Sequence, residues 1–353
     1  MLVFIVFFII VFILLWAGSR KEYRKLRLNL TAYFVIFLFS ALRFDVGYDY
    51  IFYYQLLTKQ MKFYEDQFNR LEYLNQQLIS ICQAVDSPQL FFILTSFIIT
   101  YLTYRTITRH SNNIMLSTLI FLSLPIYFLN SLSIIRQYVA VSIIFYAYTF
   151  IKERQLPKFL LAVLLASLFH KSAIFAVILY WLYNLKLTTL HYIILFILGL
   201  VSSGLSYHMV EMFAPQYLTY LDRKVGVGGN TILLLFQITG FAMLFMIPKL
   251  KDKSSDFFLL TSYYTGLLIW SSLSEYGHAG IRGGLYFMVF FIIFAPEVLS
   301  KFTQRTVLKL GAYILALVMF IITLWIGTKN ENKDPNLPYR VFFLTDKSEY
   351  KGE

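Results

Sequence analysis

The sequence predicts an all-α polytopic membrane protein, and three observations carry that prediction. Apolar runs recur from MLVFIVFFIIVFILLW (1–16) to LGAYILALVMFIITLWIG (310–327); about 20 such residues match a hydrocarbon layer roughly 30 Å thick. Hydrophobic residues make up 58% of the 353 and charged residues only 14%, more apolar surface than one soluble core of this size can hide. The basic residues behind the net charge of +12 sit between the apolar runs. That arrangement serves topology and attraction to anionic lipid, and is not that of a nucleic-acid-binding face. No polar stretch is long enough to fold alone, so residues 1–353 are read as a single integral membrane domain.

Taken in order, the run at 1–16 lacks a basic n-region and a clear cleavage site, and is expected to be a retained first span. SRKEYRKLR (19–27) carries five basic residues and one acid; the positive-inside rule puts it in the cytoplasm and the N-terminus outside. A second span (28–42) delivers an outer loop, 43–88. There Arg43, Lys59, Lys62 and Arg70 face an excess of acids: Asp45, Asp49, Glu65, Asp66, Glu72 and Asp86. Residues 55–88 read as an amphipathic surface segment. The third span (89–104) returns to Arg105 and Arg109, and spans 113–129 and 133–151 form a hairpin ending at the basic IKERQLPK.

The lysine-rich PKLKDKSSD (248–256) is also expected inside, yet three apolar stretches intervene: 159–182, 189–203 and 230–247. Parity is restored if the first breaks at His170-Lys171-Ser172 into two short arms, a broken or re-entrant pair near 159–184; a single long span with a histidine in passing is the alternative. Non-helical backbone within a membrane is tolerated where protein or a wet cavity covers it, and discontinuous segments commonly line binding sites. A second outer loop follows at 204–229, glycine-rich near its end. Spans at 230–247, 257–272, 281–295 and 307–326 surround an inner loop with Lys301, Arg305 and Lys309, and an outer tail covers 328–353. The total is about 11 to 12 segments by length, with both termini outside the cytoplasm.

Several charges fall at the outer ends of these spans: Arg43 after the second, Arg136 at the start of the fifth, and Arg282 opening the 281–295 span. His170 lies about 11 residues along its arm, roughly 16 Å deep at helical rise. A guanidinium at such depth is costly unless it pairs, snorkels or lines an aqueous cavity. Several together suit phosphate or pyrophosphate, whose oxygens match the planar fork. Other uses stay open: a span-end arginine can snorkel, Arg282 can pair with Glu275, His170 can bridge helices, and YDYIFYY (48–54) can be an interfacial belt. Asp49 is the acid best placed to act as base or sugar-hydroxyl acceptor, and Gly47 suits a tight turn. The single cysteine, Cys82, allows no intramolecular disulfide, and the five histidines form no HExxH. No metal or cofactor is expected.

LRFDVGYDYIFYY resembles the Arg-x-x-x-Gly-x-Asp-Tyr signature of the EpsG family, polymerases of extracellular polysaccharides and O-antigens. The resemblance continues in order through SIIRQYVAVSI, SLFHKSAIF, IRGGLYFMVFFIIFAPE and LPYRV, over about residues 30–342. The family is similar to the Wzy-type polymerases of bacterial plasma membranes, whose architecture resembles the lipid-linked GT-C glycosyltransferases. What the resemblance implies is a metal-independent membrane glycosyltransferase that joins undecaprenyl-pyrophosphate-linked repeat units at the outer face of the bacterial inner membrane. Donor and acceptor are both lipid-linked glycans, and a flippase and a chain-length regulator of the same pathway are expected neighbours. By the same resemblance Asp49, His170 and Arg136 carry catalysis, and Arg43, Arg282, Gln137, Tyr50, Tyr53, Tyr286 and Tyr339 bind pyrophosphate or sugar. The sequence has no P-loop, GxGxxG or DxD pair, as a lipid-linked donor requires none. An O-antigen ligase, or a flippase or exporter of lipid-linked oligosaccharide, is the alternative.

Overall fold

The computed structural model describes residues 1–202, 206–213, 215, 218, 230–250, 254–276, 278–329 and 335–345. The glycine-rich end of the expected 204–229 loop, part of PKLKDKSSD and the far end of the tail fall outside these residues. The described chain is nearly all helical, and its helices follow the apolar runs in order. Two are by themselves long and apolar enough to cross a membrane, Pro88–His110 and Thr306–Thr328. Shorter apolar helices occupy the expected spans at Leu2–Gly18, Leu28–Ala41, Ile114–Ser123, Leu156–Phe169, Thr189–Val201 and Thr231–Leu244.

Three departures from simple spans have local causes. The helix expected over 113–129 stops at Ser123, because Leu124 precedes Pro125 and takes an extended conformation (ψ 120°); a short helix, Phe128–Ser133, follows. The stretch 159–182 breaks at His170. Helix Leu156–Phe169 ends there and a 3-10 turn, Lys171–Ile178, begins. The expected 281–295 span is two helices, His278–Met288 and Phe291–Ser300, bent by 57°. At that bend the backbone tightens into three-residue bonds, Ile292 N–H to Val289 O (3.2 Å) and Ile293 N–H to Phe290 O (3.1 Å). Pro296 then withholds a donor from the second helix.

Contacts divide the chain into two compact units: residues 1–146, 161–174 and 304–353 form one, and 147–160 with 175–303 the other. In the first unit, helix Leu28–Ala41 packs on Leu2–Gly18 and Pro88–His110, and Arg305–Lys329 packs on Ile114–Ser123. Stacked rings join these layers, Phe7 on Phe39 at 4.0 Å and Phe8 on Phe320 at 4.8 Å. In the second unit, helix Ser254–Ser272 packs on His278–Met288 and Thr189–Val201. A Cβ on Gly280 would sit 2.7 Å from Trp270 O, and one on Gly284 2.8 Å from Gly266 O, so small residues let these backbones approach closely.

Candidate functional site

The segment after helix Leu28–Ala41 makes a tight corner. Arg43–Phe44 is a short strand paired antiparallel with Arg340–Val341, Arg43 opposite Val341 and Phe44 opposite Arg340. Asp45 and Gly47 both have positive φ (51° and 100°). Gly47 has a double reason to be glycine. Its φ suits no L side chain, and a Cβ would overlap the carbonyl of Leu132. Its N–H donates to Pro335 O at 2.6 Å, and the Tyr48 N–H donates to Ser133 Oγ at 3.2 Å. Gln89 closes the corner, donating to Ala41 O (2.6 Å) and Arg43 O (3.2 Å) and accepting from the Tyr50 hydroxyl (3.1 Å). From the returning segment, Arg340 lies 3.6 Å from the Asp45 carboxylate.

From this corner helix Tyr50–Leu57 leads through the polar 58–72 segment to the amphipathic helix Tyr73–Ala84. Leu71, Ile79 and Cys82 commit that helix to an apolar cluster with Tyr53, Phe91 and Phe92. Glu72 stands at its N-cap in extended conformation (φ −68°, ψ 150°). Glutamate is not among the usual capping residues, and here its side chain does not cap. It takes side-chain and backbone donors instead, one of them from Asn75 in its own first turn.

Its carboxylate collects donors from three parts of the first unit. Arg136, second residue of helix Ile135–Lys152, places Nη1 2.5 Å from Oε2. Nδ1 of His170 lies 3.3 Å from Oε1, at ion-pair distance but out of line for a well-formed hydrogen bond. The Lys171 N–H donates to Oε1 at 3.3 Å and Asn75 Nδ2 to Oε2 at 3.4 Å. Asn75 Nδ2 also donates to Phe169 O at 2.7 Å. The carbonyl and N–H released where the helix breaks at His170 are thus taken up by Asn75 and Glu72, as buried backbone groups require.

Glu72 is only 8% exposed, against 27% for Arg136 and 25% for His170. Burial pushes its carboxyl up, but the adjacent His170 ring and the Arg136 charge outweigh that and hold it at about 2. The Tyr53 hydroxyl, fully buried on a ring stacked 4.8 Å from Phe91, meets no partner in strict hydrogen-bonding geometry among the described residues, with the Arg136 guanidinium near enough to act on it. Asp49 lies close enough to act electrostatically on both Tyr53 and Arg136. Asp49, Tyr53, Glu72, Arg136 and His170 therefore form one polar cluster beside helix Tyr73–Ala84.

Other expected site residues are placed differently. Arg43 is 1% exposed. Its guanidinium donates to Val46 O (3.2 Å), Ser96 Oγ (3.1 Å) and Ser40 O, and lies over the Phe92 ring. Tyr50 is buried and stacked on Phe92 at 4.0 Å. Tyr339 stacks on Phe39 at 4.2 Å and donates to Phe39 O at 2.7 Å. Gln137 is buried beside Arg136. Arg282 and Tyr286 belong to the second unit, on helix His278–Met288, with Arg282 exposed and Tyr286 buried. Glu72 is the member of the cluster that the sequence did not single out. Among the described residues no group of three or more His, Cys, Asp or Glu side chains is placed to hold a metal ion.

Helices of membrane-crossing length, and arginine and histidine gathered on one buried carboxylate, define the class as a polytopic helical membrane protein with a polar cluster in its first unit. The chain belongs to the EpsG family, whose match spans residues 26–341 and takes in every segment of that cluster. Membership ties the protein to polysaccharide biosynthesis. No curated protein and no solved structure matches the chain significantly.

Proposed function

We propose that this protein is a glycosyltransferase that polymerises undecaprenyl-pyrophosphate-linked repeat units at the outer face of the bacterial plasma membrane. The observation that carries the reading is the convergence of Arg136 and His170, each from a different motif, on one buried carboxylate. In the reaction, the bond between the anomeric carbon of the growing chain and its pyrophosphate oxygen breaks. A hydroxyl of the incoming lipid-linked unit forms the new glycosidic bond and gives up its proton. The pyrophosphate leaves with added negative charge, which Arg136, held in place by Glu72, stabilises as a fixed cation. His170 takes the proton. Asp49 orients a sugar hydroxyl, and Arg282 is a further contact for lipid-borne phosphate. Arg43 supports the site through the corner that carries Asp49.

The test is incubation of the purified full chain with the lipid-linked repeat unit of its host, beside Arg136→Ala and His170→Ala. The expected result is a ladder of lengthened lipid-linked glycans, with the rate lowered about 100-fold or more in each variant. Intact substrate, together with transbilayer movement of that substrate in vesicles, would replace the polymerase by a flippase.

A further inference from the structure

All the protein partners of the Glu72 carboxylate, apart from the His170 ring, are obligatory donors. Arg136 offers a guanidinium N–H, Lys171 a backbone N–H and Asn75 an amide N–H. An ionised carboxylate only accepts. Nδ1 of His170 lies 3.3 Å from Oε1 without a well-aligned hydrogen bond; at that distance a small turn of the ring lets a proton on Nδ1 reach the carboxylate, whereas a bare Nδ1 would set one lone pair against another. A neutral ring protonated at Nδ1 has its free lone pair at Nε2. Glu72 is also fixed from behind. The Leu71, Ile79 and Cys82 face of its helix is 6%, 0% and 0% exposed, so the carboxylate has no slack with which to follow a wandering ring.

We propose that Glu72 is a positioning residue for glycosyl transfer: it holds the proton of His170 on Nδ1 and so presents the Nε2 lone pair to the acceptor hydroxyl. The proposal rests on the polymerase reading and adds to it a group outside the motif residues. During transfer the hydroxyl proton passes to Nε2, and the imidazolium so formed is stabilised by the adjacent carboxylate, which stays ionised. The charged groups around the ring are Glu72 at the head of helix Tyr73–Ala84, Arg136 across that carboxylate and the neighbouring Lys171. A glutamine at 72 cannot reproduce the arrangement. With its oxygen toward Arg136, its NH2 group faces the Lys171 N–H; turned over, the NH2 group faces the guanidinium.

The experiment compares elongation kinetics of the full-length protein with E72Q, E72D, H170A and the E72Q/H170A double variant, using lipid-linked repeat unit as substrate. The expected result is a fall in kcat of about 10- to 100-fold in E72Q with KM little changed. E72D recovers part of that loss, and the double variant is no slower than H170A. Multiplicative losses in the double variant, a loss confined to KM, or wild-type rates in E72Q would each overturn the proposal while leaving the polymerase reading intact. Unimpaired elongation in H170A would instead remove the reading beneath it.

A second measurement needs neither activity nor a folded variant at position 72. Ring 15N shifts of histidine-labelled wild-type protein report the tautomer, with the His170 signals identified by their loss in H170A. Measured at a pH where the ring is neutral, the proton is expected on Nδ1, and a neutral ring that carries it on Nε2 overturns the proposal.

Discussion

The Glu72 carboxyl titrates far below its ordinary value of 4.5 because its neighbours favour the charged form. A group depressed on folding contributes stability that is complete above its unfolded pKa and disappears as pH falls through its folded one. For Glu72 that window runs from about 4.5 down to about 2. Thermal unfolding in detergent should therefore show the difference in Tm between wild type and E72Q constant above the window and shrinking within it. Parallel curves across the window would mean that the pairing stabilises nothing. Arg136 and His170 were legible in the sequence because a polar group inside an apolar run is expensive and calls for a reason. Glu72 was not, being one of six acids in a polar loop. What sets it apart is its place beside Leu71, at the head of the amphipathic LEYLNQQLISIC, whose buried face pulls it under the surface. Arg43 shows the converse. It reads like Arg136 in the sequence, yet backbone carbonyls and serine hydroxyls take up its donors.

Elements reveal which interruptions of the hydropathy pattern are structural. The break at His170 was legible, from loop charges as much as from the polar His-Lys-Ser itself, and the folded chain satisfies its loose backbone with Asn75 and Glu72. The bend at Val289–Phe290 was not legible, because it falls inside the unbroken apolar run LYFMVFFIIFA (285–295) and the turn itself uses no glycine or proline. The corner at 43–50 was half legible: Gly47 announces a turn, but not the chain that presses on it. Gly47→Ala tests that pressure. Positive φ together with overlap on Leu132 O should destabilise the protein by about 1–3 kcal/mol. Elongation should fall as well, since Asp49 and Tyr53 are carried on the same corner. A variant with unchanged melting and unchanged elongation would show that the corner tolerates a side chain and has no bearing on the site.

For the whole molecule, hydropathy reports that a segment is apolar, not which neighbour it packs against. The order of the helices was therefore readable and the division into two units was not. Orientation rests on loop charge, and the composition offers a clean way to check it. Cys82 is the one cysteine and is fully buried, so a cysteine introduced at the exposed Asn69 is the only thiol that reagents reach. An impermeant maleimide added to intact cells should label Asn69→Cys. Labelling only after the membrane is opened would invert the topology and move the cluster to the cytoplasmic side.

The antiparallel pairing of Arg43–Phe44 with Arg340–Val341, and the bond from Tyr339 to Phe39 across 300 residues, also set a timetable for biogenesis. At about 5–20 residues per second, the early corner leaves the ribosome roughly 15–60 s before the strand that completes it. For that interval its strand edge is open and Gly47 N–H lacks Pro335 O. The neighbourhood of the cluster is thus finished only by late-synthesised residues, after helix Arg305–Lys329, so nascent chains stalled or nicked before that point carry Arg136 and the rest of the cluster and none of its closure.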